Sequence, residues 1–195
     1  MSTFLDIIMS AFIFGVLTLS LGRVQVNMNN TKAQNQFSYT VQTNAVELAR
    51  LVEHDIVKIG YHVTGPKITA ADSSSIAFNA ALDNTGASTP IQYSVGAPSG
   101  LTETSNPRDF VLLRTVNGNT TSINFGLIQF NLKYFDAQNA IIPTPIIGSA
   151  QLDKIRGIRI RFSIQSSESV PVDTVWESVS WEKTILPRNL SNLNY

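Results

Sequence analysis

The N-terminal stretch decides what this chain can become. Residues 4–22 form one apolar run (FLDIIMSAFIFGVLTLSLG), interrupted by the acid Asp6 near its start, and no proline occurs before Pro66. A helix of about 20 mainly apolar residues is enough to cross the hydrocarbon of a bilayer. A carboxylate at the centre of such a helix costs about 2.5–3.5 kcal/mol on insertion scales, and less towards an end. Asp6 is therefore expected to have a partner, to snorkel to the interface or to serve as a proton or ion site. A cleaved signal peptide is not expected, because no Lys or Arg precedes the run and residues 23–27 offer no small-x-small site. The first basic residue, Arg23, lies beyond the run, and with so few flanking charges the charge asymmetry does not set the orientation.

The run does not end in a turn signal. The apolar positions Phe37, Val41, Ala45, Leu48, Val52, Ile56 and Ile59 fall 4, 4, 3, 4, 4 and 3 residues apart, which is one helical face. Gln42, Glu47, Arg50, His54 and Lys58 occupy the other side. Gly60 offers a left-handed cap, with Tyr61 beyond it and Pro66 soon after. The pattern predicts one helix over 3–59, about 85 Å long at 1.5 Å per residue. If it loosens anywhere, it does so in the Asn- and Gln-rich stretch 25–36.

After Gly65 the pattern changes to strands and turns. Strands are predicted at 75–82, 90–95, 110–116, 122–135, 157–165 and 174–184, with clear alternation at 158–164 and 175–181. Asn117-Gly118 signals a hairpin turn. Trp176 and Trp181 are expected on opposite faces of the last strand, one in the core and one available to a partner. The fold class is α+β: a long N-terminal helix, membrane-spanning in its first half and amphipathic in its second, packed on a C-terminal antiparallel β-sheet domain. The divisions are 1–24 for the membrane half-helix, 25–64 for the amphipathic half-helix and 65–195 for the β-domain.

Composition limits the function classes. Charged residues make up 14% of the chain, against about 25% in ordinary soluble proteins. Acids and bases balance at 14 each, with no basic stripe that would suit nucleic acid. Cysteine is absent, which removes disulfides, thiolate metal sites and cysteine nucleophiles. There is no phosphate-binding loop, dinucleotide fingerprint, H-E-x-x-H or G-x-S-x-G motif. His54 reads as part of a solvated helix surface, and His62 has no partner at a useful spacing. Asp136-Ala137-Gln138-Asn139 offers oxygen ligands for Ca²⁺, but a turn capping a hairpin explains it better. No catalytic residue, metal or cofactor is expected.

The chain resembles the type IV pilin-like proteins, nearest in pattern to the larger minor pseudopilins (J type) of type II secretion and to the W-type minor pilins. Mature members begin with an apolar segment whose fifth residue is an acid; with Met1 removed ahead of the small Ser2, Asp6 is fifth and Gly15 fourteenth. The block at 48–61 is similar to the helix end of those subunits. The phrases at 91–95, 112–114, 132–136, 154–160 and 188–190 follow the family's order. Asp6 stands where the family usually carries Glu, and Gly22 and Arg23 stand where major pilins often carry proline, which leans towards a pseudopilin or minor subunit.

The resemblance implies a structural filament subunit with no enzymatic activity. Asp6 would pair with the N-terminal amine on Ser2 of a neighbouring subunit, while Phe4, Leu5, Ile7, Ile8, Phe12, Phe14 and Leu17 would be buried between helices. Its partners would be other pilin-like subunits, the membrane before assembly and, indirectly, an assembly ATPase and platform proteins. It would sit in a bacterial inner membrane with the β-domain extracytoplasmic, then in a periplasmic or cell-surface filament. The competing class is a membrane-anchored extracytoplasmic β-domain acting as a binding or adhesion module. A tether of that kind needs neither an acid at position 6 nor a helix that continues as an apolar stripe.

Overall fold

The computed structural model describes residues 2–81, 87–96, 104–169 and 175–191. Helix α1 (Ser2–Val57) runs unbroken for 56 residues. It is followed by strands β1 (Ile68–Ala71), β2 (Ser75–Ala80), β3 (Thr89–Val95), β4 (Phe110–Val116), β5 (Asn119–Phe135), β6 (Ile141–Ile142), β7 (Gly157–Gln165) and β8 (Ser178–Ile185). The short helix α2 (Ser149–Leu152) lies between β6 and β7. The strands form one antiparallel sheet in the order β1-β2-β3-β4-β5-β7-β8, with β6 paired to β5. The architecture is α+β, as the sequence pattern predicts.

Helix α1 survives its Asn- and Gln-rich stretch intact. No proline or glycine interrupts it there, and Thr31 and Thr40 turn their hydroxyls back to the carbonyls of Asn27 and Gln36 (2.9 and 3.0 Å), so these side chains do not compete for an alternative backbone path. Ser10, Thr18 and Ser20 do the same within the apolar run. The helix stops at Val57, two residues before the predicted end, and Gly60 takes the left-handed conformation (φ 75°) that the C-terminal turn requires. The Gly60 amide donates to Asn79 O (2.9 Å), and Asn189 Nδ2 donates to Ile59 O (3.3 Å), so the helix end is tied to β2 and to the turn Arg188–Leu190.

The second half of α1 packs on the sheet through β5, β7 and β8. Val41, Ala45, Leu48, Val52, Ile56 and Ile59 are buried, against a core that includes Ile76, Phe78, Tyr93, Leu112, Leu132, Ile158, Ile160 and Phe162. Burying each large aliphatic side chain contributes about 1.5–3 kcal/mol relative to exposure. Phe37, predicted on the same face, is only half-buried and stays outside the core; it lies where the helix passes the sheet's rim.

Strand β5 shapes the sheet. Its first half pairs with β4 and its second half with β7, and both ladders lose register near Gly126. Gly126 has φ 75°, and a Cβ there would stand 2.2 Å from the Gln165 carbonyl oxygen, so no other residue fits. The bulge bends the strand and curls the sheet around the helix. The Asn117-Gly118 turn has positive φ at both residues (49° and 80°), the type I′ geometry predicted for it.

Two strand predictions need correction. The segment at 75–82 ends as a strand at Ala80, and Leu82 lies outside the described residues. The last strand begins at Ser178, so Trp176 precedes it; Trp181 is half-buried and stacks on Phe162 (ring centroids 5.0 Å). The alternation at 175–181 continues backwards past the point where β7 ends as a partner, because Gln165↔Ser178 is the last pair. Strands β1 and β6 were not predicted; at 4 and 2 residues they are too short to show a period.

Candidate functional site

The first half of α1 has no partner within the chain. Phe4, Leu5, Ile7, Ile8, Phe12, Phe14 and Leu17 are all exposed, at 50–72% of their surface, and Leu19, Leu21, Val24, Val26 and Met28 continue the exposure. An 18-residue window here has mean hydropathy 2.2 with none of it buried. By length and composition the helix can cross a membrane. Monomeric soluble proteins rarely expose contiguous apolar patches beyond a few hundred Å², so this surface needs lipid or protein around it.

Asp6 is the polar exception within that surface. It is exposed, and its carboxylate has no hydrogen-bonding or ionic partner among the described residues. Ser2 begins the helix one turn earlier, about 6 Å along the axis; its side chain lies outside the described residues. The structure thus leaves an unpaired acid one turn into a bare apolar helix.

The other half of α1 is held by a polar lock beneath it. Asp55 is 1% exposed, and its side chain reaches Tyr93 of β3 and Arg114 of β4. Its Oδ2 accepts from Tyr93 Oη (2.6 Å) and from Arg114 Nε (2.7 Å), and Arg114 Nε also approaches Tyr93 Oη (3.2 Å). Tyr93 and Arg114 face each other across the β3–β4 ladder, so the sheet register presents both to one carboxylate. His54 Nδ1 lies 3.3 Å from the other oxygen, at the solvent edge. Burial alone would push the Asp55 carboxyl up, but the Arg114 and Tyr93 hydrogen bonds and the Arg114 charge outweigh it and hold it below its usual 3.8. Burial and the neighbouring Asp55 charge push the Tyr93 hydroxyl well above its usual value, so it stays a donor.

Sequence reasoning missed this lock: it read His54 as a solvated surface and assigned Asp55 no role. The signal was present: 48, 52, 55 and 59 are spaced 4, 3 and 4 apart, on the buried face. Two further contacts fix the helix at the surface: the ion pair of Lys183 with Glu53, and Gln34 Nε2 donating to Glu177 Oε1 (3.0 Å).

The remaining candidates have structural roles. The Asp136 carboxylate accepts from the Gln138 and Ala140 amides (2.9 and 2.8 Å), closing the β5–β6 turn with Asn139 left-handed (φ 61°). His62 is exposed and packs edge-on against Tyr61 (4.3 Å). Among the described residues no three His, Cys, Asp or Glu side chains converge as metal ligands. No protein-family model matches the chain, and no curated protein matches it in sequence.

Proposed function

We propose that the chain is a structural subunit of a type IV pilin-like filament, of the minor pseudopilin or minor pilin kind, with no enzymatic activity. The observation that carries this reading is the single rigid helix whose first half is apolar on every side, unburied and marked by an unpaired acid one turn in. A tether for a binding module needs only an anchor and a slack link. Here the anchor continues without a break into a half-helix that is locked to the sheet by Asp55, Tyr93 and Arg114. Such a unit transmits the position of the domain to the position of the helix, which suits packing side by side with other helices.

In this mechanism the half-helix lies first in the bacterial inner membrane, with the β-domain outside the cytoplasm, and then in the core of a periplasmic or surface filament. Phe4, Leu5, Ile7, Ile8, Phe12, Phe14 and Leu17 exchange lipid for neighbouring helices. Lipid tails are as apolar as these side chains, so the exchange gains little hydrophobic free energy and depends on packing and polar pairing. Asp6 supplies the pairing by accepting from the N-terminal amine on Ser2 of the next subunit, which sets the register. Extraction from the bilayer then needs an external motor, an assembly ATPase acting through platform proteins.

The test is a series at position 6. Asp6→Ala is expected to insert into membranes normally and to accumulate there without entering filaments. Asp6→Glu is expected to retain more assembly than Asp6→Asn, since charge matters more than shape. The readout is the ratio of sheared filament to membrane-bound subunit; equal ratios for all variants and the parent overturn the reading.

A further inference from the structure

Beside the rim of the sheet, where α1 passes the Gly126 bulge, lies a cavity of about 240 Å³ lined by Phe37, Thr40, Asn44, Thr104, Asp109 and Phe125 among others. Asp109 is 1% exposed, and neither of its carboxylate oxygens has a hydrogen-bond partner. Several donors around it are committed elsewhere. Asn44 Nδ2 donates to Phe125 O (3.4 Å), Thr104 Oγ1 to Asn106 O (3.4 Å) and Ser166 Oγ to Glu168 O (2.7 Å). Asn106 gives its amide to Gln165 Oε1 and Ser166 O (3.1 and 3.3 Å). Arg108, next in the chain, is exposed and makes no ion pair with it. A buried carboxylate facing a cavity with no donor is costly, and native structures retain such groups where something else satisfies them.

We infer that this cavity binds a guanidinium group, through a two-point contact with Asp109. A metal fits poorly: among the described residues Asp109 is the one carboxylate on the lining and no three ligating side chains converge, and Ca²⁺ asks for six to eight oxygens. A guanidinium fits on three counts. Its planar fork presents two N–H groups to the two free oxygens of one carboxylate. Phe37 and Phe125, both half-buried on the lining, offer aromatic faces for a weakly hydrated planar cation. The space accommodates the end of an arginine side chain and lies below the roughly 300–1,000 Å³ of drug-sized sites. The inference rests on the cavity alone and does not depend on the filament reading.

The experiment titrates the full chain in detergent micelles with N-ethylguanidinium, and in parallel with n-propylammonium and with Ca²⁺, following amide chemical shifts and the thermal midpoint. Saturable binding of N-ethylguanidinium is expected, tighter than that of either comparator, with shifts centred on Thr104, Asp109 and Phe125. Asp109→Asn removes the charge, and Thr40→Trp fills the mouth from the helix surface while leaving the carboxylate; each is expected to weaken binding at least tenfold in a protein that still melts cooperatively. No saturable binding, tighter binding of Ca²⁺, or unchanged affinity in both variants overturns the inference. Self-association of the chain in micelles assigns the source. If Asp109→Asn reduces it, a second copy supplies the arginine; if not, the guanidinium comes from a different protein or a small molecule, and the site stands in either case.

Discussion

Asp55 and Asp109 are both carboxylates at 1% exposure, and their surroundings give them opposite consequences. Removing one partner from a buried ion pair is expected to cost about 3–5 kcal/mol, because it leaves a charge with nothing to balance it. Arg114→Met should therefore destabilise the fold by that order, and Asp55→Asn by somewhat less, both measurable by denaturant unfolding of the chain in detergent. The Asp55 carboxyl is held below its unfolded value, so its contribution is present above about pH 3.8 and is lost as pH falls through the folded value. Burial pushes the Asp109 carboxyl the other way, above its usual 3.8. Its penalty is absent below about pH 3.8, grows as pH rises from there to the folded value and is complete above it, so Asp109→Asn is expected to raise the thermal midpoint at neutral pH and to leave it unchanged near pH 3. The spacing of Asp55 with Leu48, Val52 and Ile59 placed it on the buried face, but neither its partners nor the burial of Asp109 was legible in the sequence. An acid beside a histidine on a helix, or in a loop rich in polar residues, looks solvated until the sheet register brings Tyr93 and Arg114 under one and leaves the other without a donor.

At the scale of elements, the helix and the sheet were legible to different depths. The stripe from Val41 to Ile59 could be read because a helix that packs on one side must repeat its apolar residues every three or four positions, and nothing else in the chain produces that spacing. Leu48→Ala or Ile56→Ala should cost about 2–5 kcal/mol, since each leaves a cavity in the core. Val46→Ala, on the exposed side at 48% exposure, should change stability by no more than about 0.5 kcal/mol. Unfolding midpoints of the three variants check the contrast; a comparable loss at Val46 would mean that the exposed side also packs in the folded chain. Phe37 shows where the stripe fails as a guide: it keeps the spacing but lies past the edge of the sheet, and a period along a helix carries no information about where the opposing layer ends. In the sheet, Ile158, Ile160, Phe162 and Ile164 point inward while Arg159 and Arg161 reach Glu182 across the ladder (3.8 and 4.0 Å), the alternation the sequence displayed. The bend at Gly126 was not legible, because the need for a glycine there comes from the Gln165 carbonyl 39 residues further along the chain.

The whole molecule is an 80 Å-scale rod carrying a curled sheet at one end, and the two ends draw their stability from different sources. The core begins at Val41; among the described residues none before it belongs to the hydrophobic cluster, and the first hydrogen bond from α1 to the β-domain is that of Gln34 with Glu177, just before β8. Everything from Thr3 to Met28 is exposed and adds helix but no burial to the domain. A helix unsupported by packing is marginal in water, so outside lipid or a filament this half contributes nothing that the domain needs. A chain starting at Asn29 is therefore expected to fold as a soluble domain, with a thermal midpoint within a few degrees of that of the full chain in detergent. The full chain should float with lipid vesicles, and the shortened chain should remain in the aqueous layer. Adding Asp55→Asn to the shortened chain should lower its midpoint as much as it does in the full chain, because the lock lies wholly within the part retained. A shortened chain that melts far below the full one would show that the apolar half is structural to the domain, and the division of labour argued for α1 would fail. If instead stability stays and vesicle binding goes, then the first half of α1 serves only what lies outside the chain, and its unpaired Asp6 becomes a feature that only a partner or a membrane surface can explain.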